Sequence, residues 1–185
     1  MATASQQFAQ HSNTVSVSPF GRARSPSAPR LCWDARRVFS LWDGCCPTGG
    51  SVPCPGDRNL RACDYAKRLR DDGVAVISGF HSPVEKECLR ILLRGTPPTI
   101  ICPARSSTSM RIPREWTQAI EKGRLLRVSP FAGSQKRATA ELAQGRNKFV
   151  ATVADRVCFI YTTPRGTLES LANELRGAGK PILSL

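Results

Sequence analysis

Gly73-Val74-Ala75-Val76-Ile77-Ser78-Gly79-Phe80-His81-Ser82-Pro83-Val84-Glu85 reads as a strand, a turn and a capped helix in succession. Residues 74–78 form a short apolar run with β-branched members, the pattern of a strand buried on both faces in a parallel sheet. Gly79-Phe80-His81 makes the turn. Ser82 to Glu85 has the form of a capping box, with Ser82 at N-cap, Pro83 at the first helical position and Glu85 at the third. The helix is expected to run to Arg94, with Val84, Cys88, Leu89 and Leu92 inward, and to stop at Gly95.

The same alternation continues outward in both directions. Upstream, residues 36–42 suit a first strand, and the Gly-, Pro- and Cys-rich stretch 43–57 suits a loop. Asp57 is expected to cap a helix over 58–72 with Leu60, Cys63, Ala66 and Leu69 inward. Downstream, residues 99–102 form the next strand, closed by Pro103, and a short helix over 113–122 turns Trp116 and Ile120 inward. Residues 125–129 are a strand stopped by Pro130. A long helix over about 135–154 follows, with Ala138, Leu142, Phe149, Val150 and Val153 on its inner side and Gly145 breaking it into two. Residues 157–161 are a strand. Leu168, Leu171, Ala172 and Leu175 keep helical spacing up to Gly177, and 181–183 form a last strand.

Strands alternating with helices imply βαβ units. The expected fold class is α/β, a Rossmann-like three-layer α/β/α arrangement on a mostly parallel sheet of about five or six strands. Residues 34–185 are expected to make one such domain. Residues 1–33 are expected to be a disordered tail. Residues 1–30 hold no acid, and their only charges are Arg22, Arg24 and Arg30. That composition also resembles an organelle transit peptide, and a start assigned too far upstream would look the same.

No apolar run approaches the roughly 20 residues that span a bilayer, so no membrane partner is expected. No apolar h-region follows the start, so no secretory signal is expected, and the expected location is cytoplasmic, with organelle targeting by residues 1–30 left open. Eight cysteines lie among 185 residues, but they form no C-x-x-C pair. Cys45, Cys46 and Cys54 have neither the spacing nor a neighbouring His for zinc, so no metal and no cofactor is expected. Cys88, Cys102 and Cys158 sit in apolar patterns and read as small core residues.

The chain carries 27 Lys and Arg against 14 Asp and Glu, a net charge of +13. Most of the basic residues are arginines, whose planar fork of donors suits phosphate. The excess favours an anionic partner. Ligands in an open parallel sheet bind at the carboxyl ends of the strands, near helix N-termini. Three junctions there gather candidate residues. The first holds Gly79, His81 and Ser82. The second holds Phe131, able to stack on a base, then Lys136, Arg137, Arg146 and Asn147. The third, Thr162-Thr163-Pro164-Arg165-Gly166-Thr167, offers Thr163, Gly166 and Thr167 beside a helix start. Each junction also has a plainer reading, as a capped helix or a solvated charged face. His81 has no evident nucleophile or carboxylate partner, so a turn residue is the better reading than a general base.

From Val74 onward, some 110 residues resemble the DNA-processing protein family DprA (also called Smf), within the SLOG group of Rossmann-like domains. The likeness rests on Asp72-Gly73-Val74-Ala75-Val76-Ile77-Ser78-Gly79, on Leu125-Leu126-Arg127-Val128-Ser129-Pro130-Phe131, on Arg146-Asn147 with the later Ala154-Asp155-Arg156-Val157, and on Gly179-Lys180-Pro181-Ile182, in that order. The chain's size resembles the short, stand-alone members. The resemblance implies binding of single-stranded DNA and, in some members, loading of a recombinase; no motif here carries the recombinase contact over. Pairing as a homodimer is an analogy with Rossmann-like relatives.

Thr163-Pro164-Arg165-Gly166-Thr167-Leu168-Glu169 is compact where full-length members have a longer Gly-Ser loop. It is similar to another SLOG branch, the cytokinin-activating phosphoribohydrolases (LOG proteins), whose signature is P-G-G-x-G-T-x-x-E. Here the Pro-to-Thr spacing is two residues shorter, and Ser170 stands at the place of the final acid. Glu169 comes one position early, which turns its side chain by about 100° on a helix. The leading expectation is a binding module for single-stranded DNA or a nucleotide, without catalysis. The alternatives are a nucleoside-monophosphate hydrolase with Glu169 as its acid and Arg146 on the 5′-phosphate, and a nucleotide-sensing domain.

Overall fold

The computed structural model describes residues 16–17, 38–43, 56–108 and 110–185. Most of the expected tail, the loop over 44–55 and Cys32, Cys45, Cys46 and Cys54 lie outside the described residues. The strands are β1 (Ser16–Val17), β2 (Val38–Asp43), β3 (Ala75–Ser78), β4 (Thr99–Ile101), β5 (Leu125–Ser129), β6 (Arg156–Tyr161) and β7 (Ile182–Ser184). The helices are α1 (Gly56–Asp71), α2 (Pro83–Leu92), α3 (Arg114–Glu121), α4 (Ala140–Val153) and α5 (Thr167–Gly177).

The strand order is β1-β5-β4-β3-β2-β6-β7. All neighbours pair parallel except β1, which runs antiparallel along β5 with Ser16 opposite Ser129. β1 is a two-residue strand inside the stretch expected to be tail. The chain builds outward from β2 to β5, then returns to lay β6 on the other side of β2. That reversal between β2 and β6 is the topological switch point, where a crevice opens at the carboxyl ends of the strands.

Side chains alternate across the sheet, as a pleated strand requires. Phe39, Leu41, Val76, Ile101, Leu125, Cys158 and Ile160 face the layer of α1, α2 and α3. Trp42, Ile77, Ile100, Cys102, Val157 and Phe159 face the layer of α4 and α5. The architecture is thus the expected three-layer α/β/α, with the central strand β3 buried along its whole length.

Helix positions differ from expectation in α1 and in α4. In α1 the inward stripe is Ala62, Ala66 and Leu69, and Leu60 is 69% exposed. The helix starts at Gly56, so Asp57 lies in its first turn, where a negative charge suits the macrodipole, and does not cap it. α4 begins at Ala140, with Thr139 as N-cap accepting from the Leu142 N–H at 3.3 Å. Lys136, Arg137 and Ala138 therefore precede it and are exposed. α4 also runs unbroken through Gly145, because the ring of Phe131 lies over that residue, with atoms 3.6 and 3.8 Å from where a Cβ would stand. Its buried residues are Arg146, Val150 and Ala151, while Val153 is 39% exposed.

Candidate functional site

The site starts from a missing side chain. Gly79 follows Ser78, so the alternation of β3 turns it toward the α4 layer. The guanidinium of Arg146 fills the space a side chain would take: a Cβ on Gly79 would stand 1.3 Å from Arg146 Nη1. Arg146 is only 7% exposed. Its Nη1 donates to the Cys102 carbonyl at 3.3 Å, just past the end of β4, and its Nε donates to Asn147 Oδ1 at 2.8 Å. A guanidinium has five N–H donors. Three of them have no partner, and no carboxylate pairs with the charge, among the described residues. A buried charge left without a counter-ion is costly. At the carboxyl edge of a parallel sheet, such a group has the chemistry to receive an anion.

His81 stands at the same edge. Its side chain reaches the solvent, yet the surrounding protein desolvates it, and the charges of Arg146, Lys86 and Arg105 add to that effect; together they lower its pKa to about 4. Ring and guanidinium thus share one electropositive neighbourhood. Lys86 and Arg105 were not among the residues read from the sequence. Arg105 comes three residues after Cys102, and Pro103 read there as a strand stop, which hid a fourth strand-to-helix junction. Arg105 is held in place by its carbonyl, which accepts from Ser129 Oγ at 2.8 Å.

Ser82 caps α2 as expected: its Oγ accepts from the Glu85 N–H at 3.1 Å. Glu85 reaches back one residue further than in the usual capping box and accepts from the His81 N–H at 2.7 Å. That bond fixes the turn beside Arg146. Phe80 in the same turn has φ 50, and Arg165 after β6 has φ 59. The two non-glycine residues with positive φ among the described residues therefore lie in carboxyl-edge turns, a setting in which backbone strain is often stored.

The remaining candidates divide. Phe131 is half-buried against Gly145 and so lies next to Arg146 along α4. Asn147 and Thr167 line one groove of about 220 Å³ between α4 and α5. Gly166 is the N-cap of α5 and packs on Thr163, whose carbonyl accepts from the Gly166 N–H at 2.9 Å. Lys136 and Arg137 line a separate open cavity of about 550 Å³ with Thr139, Glu141 and Leu142. Glu169 accepts from the backbone N–H of Arg165 at 2.6 Å, which commits one carboxylate oxygen to its own turn. No group of three His, Cys, Asp or Glu is placed to hold a metal among the described residues.

This chain has a Rossmann-like, doubly wound α/β/α fold with a buried arginine at the strand carboxyl edge. Its fold is that of DNA-processing protein A. The structure of the Helicobacter pylori protein, described for its single-stranded DNA binding mode, superposes with a TM-score of 0.62 at 17% identity, over 82% of this chain and 66% of that one. The Streptococcus pneumoniae protein gives 0.60 at 13% identity, over 80% of this chain and 50% of that one. The chain therefore spans about two thirds of one and half of the other. The molybdenum cofactor carrier protein of Chlamydomonas reinhardtii gives 0.50 at 15% identity, over 80% of this chain and 75% of that one. No family model and no curated protein matches the sequence.

Proposed function

We propose that this chain binds single-stranded DNA along the carboxyl edge of its sheet, seating a backbone phosphate on Arg146. The observation that carries the reading is the buried guanidinium, which among the described residues has three unpartnered N–H groups and no carboxylate. Lys86 and Arg105, whose charges reach His81 together with that of Arg146, extend the positive field around it. Phe131 offers an aromatic face for a neighbouring base. Lys136 and Arg137, in their own cavity, hold a phosphate further along the strand. The likeness to the H. pylori protein supports the same class of ligand.

The engagement of Glu169 by its own turn favours binding over hydrolysis of an N-glycosidic bond. Residues 34–185 act as one binding domain. A cytoplasmic setting suits a nucleic-acid partner and agrees with free thiols at Cys63, Cys88, Cys102 and Cys158. A free nucleotide presents the same phosphate, so the test has three arms. A fluorescent single strand is titrated at low salt, then competed with nucleoside monophosphates, inorganic phosphate or unlabelled strand. Micromolar or tighter binding displaced efficiently by unlabelled strand supports DNA. Displacement by monophosphate at similar concentration assigns a nucleotide instead. Absence of binding at low salt overturns the proposal.

A further inference from the structure

Asn147 lies beside the anchor and is only partly buried. Its amide orientation is fixed by chemistry, because Arg146 Nε is a donor with nothing to accept, so the atom 2.8 Å away must be the amide oxygen. The amide nitrogen has no hydrogen-bond partner among the described residues. Asn147 lines the groove between α4 and α5, whose opposite wall holds Thr167 at the N-terminus of α5. The first-turn N–H groups there present positive potential and further donors. The groove's acid, Glu174, lies 3.7 Å from Lys148 Nζ, which offsets its charge.

Building on the phosphate site proposed above, we infer that Asn147 is a specificity-determining residue that selects bases with a carbonyl at pyrimidine C4 or purine C6 (thymine, uracil and guanine) over those with an amino group there (cytosine and adenine). A free asparagine reads adenine with both ends of its amide, accepting from N6 and donating to N7. Here the bond from Arg146 Nε turns the amide oxygen toward the anchor and leaves the amide NH2 as the end free to meet a base. An exocyclic amino group set against that NH2 meets donor with donor. Uracil and thymine O4 and guanine O6 meet it with an acceptor.

The test uses the full chain and two oligomers of about 12 nucleotides, oligo-dU and oligo-dC, which match in charge and length and differ at the exocyclic group. Anisotropy titrations at neutral pH are expected to give about fivefold tighter binding, or more, to oligo-dU. Asn147→Asp keeps an acceptor for Arg146 and replaces the donors with an acceptor, so the dU-to-dC ratio is expected to fall below one even though the added charge weakens both. Asn147→Ala is expected to bring the ratio to one, with thermal melting confirming that each variant is folded. Equal, measurable binding of both oligomers by the unaltered chain overturns the role of Asn147 and leaves the phosphate site standing. An unchanged ratio in folded Asn147→Asp does the same. Binding of neither oligomer overturns both.

Discussion

Arg146 brings a full charge to a position that is 7% exposed, against a glycine and a carbonyl oxygen. Gly79 is what makes the position possible. A Gly79→Ala substitution places a methyl group 1.3 Å from Nη1, and the flexible end of the arginine has to give way. The expected outcome is at least a tenfold loss of strand affinity, about 1.4 kcal/mol, with only a small change in melting temperature. Titration beside thermal melting checks it. His81 makes a second prediction. Its folded pKa of about 4 lies below the ordinary value of 6.5. The unfolded chain therefore takes up the proton first, so stability is complete above about pH 6.5 and declines as pH falls toward 4. His81→Gln lacks that liability. Urea unfolding is expected to show the variant gaining on the parent between about pH 7 and pH 5. A bound phosphate raises the histidine pKa and narrows the gap. The turn glycine Gly79 and the cap Ser82 were legible in the sequence because each sits at a fixed offset from a strand end or helix start, whereas Arg146 stood out only as part of a charge run, and its burial against Gly79 left no local mark. Lys86 and Arg105 were not legible, since only folding brings their charges to His81.

Among the elements, α2 and α4 were read with different success. α2 carries its own signals: the capping box, Pro83 and the inward set Val84, Cys88, Leu89 and Leu92 all appear as expected. Removing the cap in Ser82→Ala is expected to cost about 1 kcal/mol and to lower the urea midpoint accordingly. The start of α4 was misread because Gln135 to Ala138 have acceptable helix propensity, while the Thr139 cap decides the boundary. Gly145 looked like a breaker because its partner is a ring from the preceding turn, which local sequence does not reveal. A Cβ there meets Phe131 at ordinary van der Waals distance. Gly145→Ala is therefore expected to stabilise the protein by about 0.5–1 kcal/mol through the better helix propensity of alanine. A rise in melting temperature checks this. The inward face of α1 was misread for a related reason. Two stripes, through Leu60 and through Ala62, fit the helical period equally, and packing against α2 selects the one with small side chains.

At the scale of the whole molecule, topology assembles the site. The order of βαβ units was legible, because each strand is a short apolar run closed by Pro or Gly. The position of β2 between β3 and β6 was not, because pairing of distant strands leaves no local mark. That order puts the turns after β3, β4, β5 and β6 on one edge, beside the buried arginine. The sequence as a whole carries an excess of thirteen positive charges. If about three or four phosphates are neutralised, the logarithm of affinity is expected to fall with the logarithm of salt concentration at a slope of about −2 to −3. The most direct measurement is an anisotropy titration of a fluorescent single strand with the parent protein and with Arg146→Met, at low salt, beside their melting curves. The predicted result is micromolar or tighter binding by the parent and at least tenfold weaker binding by a variant that still melts cooperatively within a few degrees of it. A folded Arg146→Met that binds with the parent's affinity would contradict the account.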